Sequence, residues 1–265
     1  MPAGKGQRPA FDTTVANHAR VYNYLLGGKD NFAADRAAGD AAIKAHPATA
    51  YAARANRAFL ARVVRYLAAD AGIRQFLDIG TGIPAANNTH QVAESVAPEC
   101  RIVYVDNDPV VLAHARALLT SSPEGATDYL DADLRDPGKI LTQAARTLDF
   151  SQPVAVMLIA ILHVIGDDDD PFGCVARLID AVPSGSYLAL SHVASDIEPE
   201  KVADAMGRLS RAGNRQGAAR SHAEVTRFFG KLELVEPGLV QIPRWRPDIE
   251  TKRSIPMWGG VARKP

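Results

Sequence analysis

Up to about residue 74 the apolar positions recur only at helical spacing; beyond it, short apolar runs alternate with helical stretches. Val15, Ala19, Tyr22 and Leu26 fall three or four residues apart, which predicts a helix capped by Thr13 or Thr14 and closed by Gly27-Gly28. A short helical piece is expected after Asp35, stopping before Pro47, and a longer helix over Thr49–Ala69 with Ala52, Leu60, Val63, Val64 and Leu67 on its apolar side. Strands are then expected at Gln75–Ile79, Arg101–Asp106, 127–131, 153–159 and 187–192, and in the tail around 232–235, 239–242 and 258–262. Asp108-Pro109, Asp136-Pro137 and Asp170-Pro171 each set an N-cap acceptor before a proline at the first helical position, where a missing N–H costs nothing. Ser221 and Glu224 have capping-box spacing for a helix ending at Gly230. Strands that alternate with crossover helices make a parallel sheet covered on both faces, and such α/β sheets bind ligands at the carboxyl ends of their strands.

Composition narrows the function classes. The chain has 265 residues, 47% hydrophobic and 23% charged, as expected of an ordinary globular protein. Thirty basic and 30 acidic side chains leave a formal net charge of zero, which disfavours a nucleic-acid partner. Cys100 and Cys174 form no spaced pair and predict two reduced thiols in a cytoplasmic protein. The polar, Pro/Gly-rich opening predicts a disordered leader over 1–12, without the apolar core of a signal peptide, and no apolar run is long enough to span a bilayer.

Candidate chemistry sits at the strand ends. The first strand runs into Asp78-Ile79-Gly80-Thr81-Gly82-Ile83-Pro84, where two glycines free the backbone for a tight turn and close approach of a ligand. A carboxylate beside that turn suits a nucleotide bearing a positive group better than it suits a pyrophosphate. The second strand ends in Asp106-Asn107-Asp108, where an acid can take both hydrogen bonds of a ribose diol. The third ends in Asp131-Ala132-Asp133-Leu134, where a side-chain oxygen can accept from an adenine amine. The fourth ends in Ile159-Ala160-Ile161-Leu162-His163, an apolar rim with one titratable group. Glycines, acid and acid in this order predict one adenosine across three adjacent strand ends.

The constellation resembles a class I S-adenosylmethionine-dependent methyltransferase. More narrowly, the chain is similar to the actinobacterial S-adenosyl methyltransferase family first described as a domain of unknown function. The matching stretches are Ala19-Arg20-Val21-Tyr22-Asn23-Tyr24-Leu25-Leu26-Gly27-Gly28-Lys29-Asp30-Asn31-Phe32, Gln75 to Pro84, Asn88-Thr89-His90, Tyr104 to Pro109, and Val235-Glu236-Pro237-Gly238-Leu239. The resemblance implies an α/β, Rossmann-like, seven-stranded, mostly parallel sheet of order 3-2-1-4-5-7-6, with strand seven antiparallel. It also implies a helical cap over 13–73 and a cofactor-binding core over 74–265. The cofactor would be S-adenosylmethionine, with Asp78, Gly80, Gly82, Ile83 and Pro84 at its methionine end. Asp106 and Asn107 would lie at the ribose, and Asp133 and Leu134 at the adenine. Tyr22 and Asn31 of the cap, with Lys29 and Arg20, would face the site. The loop Ala85-Ala86-Asn87 is less polar than is usual in that family.

The implied reaction is in-line methyl transfer to a small molecule, in which positioning and exclusion of water supply much of the rate. His163, and after it Tyr22, are the candidate bases; His192 is a weaker one. Two other classes remain: an NAD-dependent oxidoreductase, because Gly80 to Ala85 formally fits G-x-G-x-x-A, and a non-catalytic binder of the same cofactor. Gly27-Gly28-Lys29 lacks the upstream glycine and following Ser/Thr of a phosphate loop. Asp167-Asp168-Asp169-Asp170 reads as a solvated acidic turn, and no metal is expected. Lys201, Arg208, Arg211, Arg215 and Arg220 favour either an anionic acceptor or a solvated helical face. Arg244-Trp245-Arg246-Pro247 reads as a pocket wall or a packed loop.

Overall fold

The computed structural model describes residues 12–118, 121–213, 217–251 and 253–265. The expected leader, apart from Asp12, and Arg215 of the basic segment lie outside the described residues. In chain order the elements are α1 (His18–Leu25), α2 (Ala33–Ala45), α3 (Thr49–Ala69), β1 (Gln75–Ile79), α4 (Thr89–Val96), β2 (Arg101–Asp106), α5 (Pro109–Leu118) and β3 (Ala126–Asp131). There follow α6 (Pro137–Ala144), β4 (Ala155–Ile159), α7 (Pro171–Asp180), β5 (Tyr187–Val193), α8 (Pro199–Gly213), α9 (His222–Arg227), β6 (Glu233–Leu234), β7 (Val240–Gln241) and β8 (Met257–Arg263).

The strands form one sheet of order β3-β2-β1-β4-β5-β8-β6, with β7 also paired to β8. Strands β1 to β5 are mutually parallel where they pair, and β8 runs antiparallel to β5, β6 and β7. This is the expected Rossmann-like methyltransferase topology, with the sixth strand broken in two. Pro237, which has no N–H to give a ladder, and Gly238 make the break, and Gly238 N donates back to Val235 O at 2.8 Å. β1 and β4 are buried at every position because both faces are covered. Phe76, Ala155 and Met157 join a core with Phe59, Leu60, Val63 and Leu67 of α3, whereas Leu77, Val156 and Leu158 join Ile140, Val175 and Leu178 on the other face.

Of the helices expected before residue 74, α3 therefore packs into the core of the sheet. Its Asn56 and Arg57 nonetheless reach the strand ends. α1 and α2 make a separate small core from Val21, Leu25 and Ala38, closed by Ala53 of α3 and Leu209 and Ala212 of α8. The cap is thus α1, α2 and α8, two pieces far apart in the chain. α1 is capped by Asn17, whose side chain accepts from Ala19 N at 2.8 Å, and not by Thr13 or Thr14. Asp136 and Asp170 cap α6 and α7 as expected. No helix among the described residues is long and apolar enough to cross a membrane.

A buried ionic trio fastens this cap to the sheet. Arg20 Nε of α1 lies 3.5 Å from Asp35 Oδ1 of α2 and 3.7 Å from Asp108 Oδ2 just past β2. All three residues are at most 4% exposed. Asp35 also accepts from Asn17 N (2.9 Å) and Phe32 N (2.8 Å), and Asp108 accepts from Val110 N (2.8 Å), so each carboxylate is further satisfied by backbone donors. Asp108 is more than the helix cap its Asp-Pro context suggests. Removing the cation from a buried pair leaves uncompensated charge, so Arg20→Met should lower stability by about 3 kcal/mol. Urea denaturation checks this, and part of the loss should return in the Arg20→Met/Asp35→Asn double variant.

Candidate functional site

Between the cap and the carboxyl ends of β1, β2, β4 and β5 lies a cavity of about 530 Å³. Its floor is polar. Gly80 and Gly82 take the left-handed conformation (φ +77° and +69°) that glycine adopts without strain. A Cβ on Gly80 would sit 2.6 Å from the Ile161 side chain, whereas one on Gly82 would meet nothing within 4 Å. Gly80 is therefore there for close packing, and Gly82 leaves open space beside its backbone.

Asp106 joins the glycine turn to the end of β2. Its Oδ2 accepts from Gly82 N and its Oδ1 from Asp108 N, each at 2.9 Å. A carboxylate offers about four lone-pair positions, so further acceptance at both oxygens remains open. Burial raises its pKa, and the backbone donors partly offset that rise. Asp78 is 4% exposed. Its Oδ2 accepts from Thr89 Oγ1 at 2.6 Å, and burial pushes its pKa up to about 6 against the lowering effects of Thr89 and Arg57. Asp133 takes a two-pronged bond from Arg135 (2.9 and 2.7 Å) and a third from Asn107 Nδ2 (2.7 Å), which hold its pKa down at about 2.

Above this floor the wall is mostly apolar, with Leu25, Leu60, Val164, Val202, Met206 and Leu209 among the lining residues. Tyr22 lines it too, but its hydroxyl is engaged on both sides: it donates to Ala53 O (3.0 Å) and accepts from Asn56 Nδ2 (2.9 Å). The chain continues, as Ser191 Oγ donates to Asn56 Oδ1 (2.6 Å) and accepts from Ala160 N (2.9 Å). Burial raises the Tyr22 pKa, so this hydroxyl suits a fixed wall and not a proton acceptor. The same chain holds Ala160, a non-glycine residue at φ +58°, on the cavity rim. Such a conformation persists only where its surroundings impose it.

His163 also lines the cavity. Its Nδ1 is buried and has no hydrogen-bond partner among the described residues. Burial first, then repulsion from His192, His18 and Arg220, pushes its pKa well below the ordinary histidine value, so the ring is neutral at physiological pH. His192 belongs to a structural network behind it. Its Nδ1 is 2.9 Å from Val193 O and its Nε2 2.9 Å from Arg220 Nη1, so the neutral tautomer is protonated on Nδ1 and accepts from the guanidinium.

Of the expected cofactor contacts, Asp78, Gly80, Gly82, Asp106, Asn107, Asp133, Leu134 and Tyr22 come together on this cavity. Three do not line it. Ile83 packs with Val110, Val111, Ala19 and Phe32, and Pro84 leads away from the turn. Asn31 spends its amide on Asn23 Oδ1 and Gly28 O, both at 2.9 Å, and braces the loop after α1. Lys29 is exposed and likewise off the cavity; Arg20 lines it as part of the ionic trio. Among the other basic residues, Lys201 and Arg208 pair with Glu198 and Asp204 on the exposed side of α8. Arg220 is buried against Asp167, Leu162 O and Ile165 O. Asp167 and Asp169 pair with arginines and Asp170 caps α7, so these acids have other duties. Trp245 is fully buried against Phe59 and Tyr66, which makes its segment a packed loop.

The sequence reading missed Thr89, Asn56, Ser191 and Arg57. Thr89 lay within the matched Asn88-Thr89-His90 stretch; the other three sit mid-element with no local signal of a role. The turn also departs from a dinucleotide site. Gly82 N is taken by Asp106, and the next helix, α4, starts only at Thr89, so the helix that follows the glycines does not begin at them as in a pyrophosphate-binding turn.

Comparison with known proteins agrees with this geometry. A DUF574 family protein from Streptomyces avermitilis shares 50% identity, over 96% of this chain and 99% of its own, at a TM-score of 0.92. A candidate methyltransferase from Thermobifida fusca shares 42%, over 98% and 99%, at 0.89. Human N-acetylserotonin methyltransferase, solved with its S-adenosylmethionine, shares the fold at 15% identity, over 92% and 62%, at 0.50. No protein of curated function matches the chain. The family model described as S-adenosyl methyltransferase matches residues 4–265, and the chain accordingly belongs to that family of S-adenosylmethionine-dependent enzymes.

Proposed function

We propose that the protein transfers a methyl group to a small, uncharged, largely apolar molecule held between the cap and the end of β4. The observation that carries this reading is the division of one cavity into an acidic floor and an apolar chamber under α1 and α8. The floor suits the cofactor. Asp106 retains lone pairs for a ribose diol, the space beside Gly82 lets a ligand approach the backbone, and Asp133 with Leu134 stands where an adenine edge would lie. S-adenosylmethionine would supply a methyl group already activated on a sulfonium sulfur.

The chain's own part is then to position and to exclude water. Val202, Met206 and Leu209 of α8 roof the chamber, while the Tyr22–Asn56–Ser191 chain fixes the wall opposite. His163, as a neutral imidazole held below its ordinary pKa, can accept a hydrogen bond from an acceptor hydroxyl and is a poor proton acceptor. An anionic acceptor is disfavoured because Lys201 and Arg208 of α8 are held in exposed ion pairs and Arg220 is enclosed.

Calorimetry should show S-adenosylhomocysteine binding and no binding of NAD; the reverse would sink the reading. Release of S-adenosylhomocysteine with apolar hydroxylated small molecules, and none with protein or nucleic-acid pools, is the expected outcome of an acceptor screen. Activity confined to a macromolecular pool would reject the small-molecule acceptor.

Asp78 adds a pH signature. Its folded pKa, about 6, lies above the model-compound value of 3.8, so between these pH values the folded state holds more protons than the unfolded one. Stability therefore falls as pH rises through this window, and the penalty is fully present above it. Asp78→Asn should stabilise the ligand-free protein by roughly 1–3 kcal/mol at pH 8, with little effect at pH 4. The wild type should lose S-adenosylhomocysteine affinity below about pH 6 as Asp78 is protonated, and Asp78→Asn should bind more weakly and lack that pH dependence. Thermal melts and titrations across pH 4–8 check both.

A further inference from the structure

We infer that Arg57 of α3 binds the carboxylate of the cofactor's amino-acid end while Asp78 takes its ammonium group, an assignment that rests on the S-adenosylmethionine reading above. Two guanidinium groups line the cavity, Arg20 and Arg57. Arg20 has two carboxylates beside it. Arg57 has no carboxylate in direct contact: among the described residues it enters no ion pair, and its Nε is buried without a hydrogen-bond partner. Its hydrogen-bond partners are all neutral, and a ligand anion would supply the direct charged partner that a half-buried cation lacks.

The guanidinium is also held in place beforehand. Nη2 donates to Ala86 O (2.9 Å), Asn87 O (3.1 Å) and Asn88 Oδ1 (3.3 Å). These bonds clamp the loop between the glycine turn and α4 through its backbone and through Asn88, so the loop's small residues Ala85 and Ala86 need supply no polar side chain. Asn88 is fixed in turn, its Oδ1 accepting from Ala85 N at 3.1 Å. On the same wall stands Asp78. Thr89 occupies its Oδ2, and Oδ1 accepts no hydrogen bond among the described residues. Arg57 is close enough to act electrostatically on that carboxyl. A fixed cation and a buried carboxylate, side by side and each with unused capacity, are complementary to an α-amino-acid zwitterion. Neither an uncharged adenosine nor an apolar acceptor would use them both.

The test compares two probes on the full chain by calorimetry: S-adenosylhomocysteine, and 5′-methylthioadenosine, which keeps the adenosine and sulfur but lacks the amino-acid end. Arg57→Gln should weaken S-adenosylhomocysteine about 10- to 100-fold, the range for losing a charge-assisted bond, and change 5′-methylthioadenosine by less than about threefold. Arg57→Lys, which keeps the charge, should fall between. Equal weakening of both probes would make Arg57 a loop clamp only and overturn the inference, as would no change in either. Should Arg57→Gln fail to fold, wild type decides: it should prefer S-adenosylmethionine over its decarboxylated analogue at least tenfold, and equal affinity overturns the assignment. Wild type that binds neither adenosyl probe rejects the cofactor reading itself, an outcome distinct from failure of Arg57 alone.

Discussion

The site exists because a buried arginine on α1 is pinned between a carboxylate of α2 and a carboxylate at the end of β2. With the Tyr22–Asn56–Ser191 hydrogen-bond chain, the trio ties α1 to the sheet through polar contacts as well as apolar ones. Buried ion pairs contribute little net stability compared with apolar packing of the same volume, but they are directional and tolerate few alternatives. Here the direction matters. Asp108 is rigid because it is also bonded to Val110 N, and its backbone N–H bonds Asp106, so the cap is referenced to the residue that would hold the ribose. The Arg20 side chain therefore ties α1 and α2 to the floor of the cavity.

The floor concentrates cost. Asp78 and Asp106 are buried acids whose pKa values are raised by desolvation, and Ala160 is held at a positive φ by its bond to Ser191. Each is unfavourable for an empty protein, and each is tolerated where partners are positioned to over-determine it. Asp133, on the same cavity, is the opposite case: donors from Arg135 and Asn107 keep it ionised. The gradient from a proton-hungry Asp78 to a fully ionised Asp133 matches a ligand that is cationic at one end and neutral but hydrogen-bonding at the other.

The strands and most helices could be read from the chain because their causes are local. Gln75–Ile79 and Arg101–Asp106 are apolar runs closed by acids and glycines, and Thr49–Ala69 is one long periodic stripe. Expectations failed where the cause was tertiary. Asn31 sits in a polar, glycine-rich segment of the kind that often contacts ligands, yet Asn23 and Gly28 lie nearer to it than the cavity does. Ile83 follows the glycines in sequence, but the turn swings its side chain into contact with α5. The break at Pro237 and Gly238, by contrast, has a local cause and falls between the two strands expected around 232–235 and 239–242.

Arg57 and Asn56 expose the deeper reason. They are consecutive residues in the middle of a helix whose other positions read as core, and a helix stripe does not say which polar residues at its edge face a cavity and which face water. The cofactor half of the site remained legible because its polar groups hang on turns that directly follow strands, so topology alone brings them together. The chamber half draws on α1, α3, α8 and the end of β4, segments far apart in the chain that only tertiary packing brings together. Its chemistry is mostly the absence of charge, and an apolar residue in a lining is indistinguishable in sequence from one in a core. On the function proposed above, what the enzyme selects is written in shape and exclusion, whereas its cofactor is met by named carboxylates and by a guanidinium that enters no ion pair among the described residues.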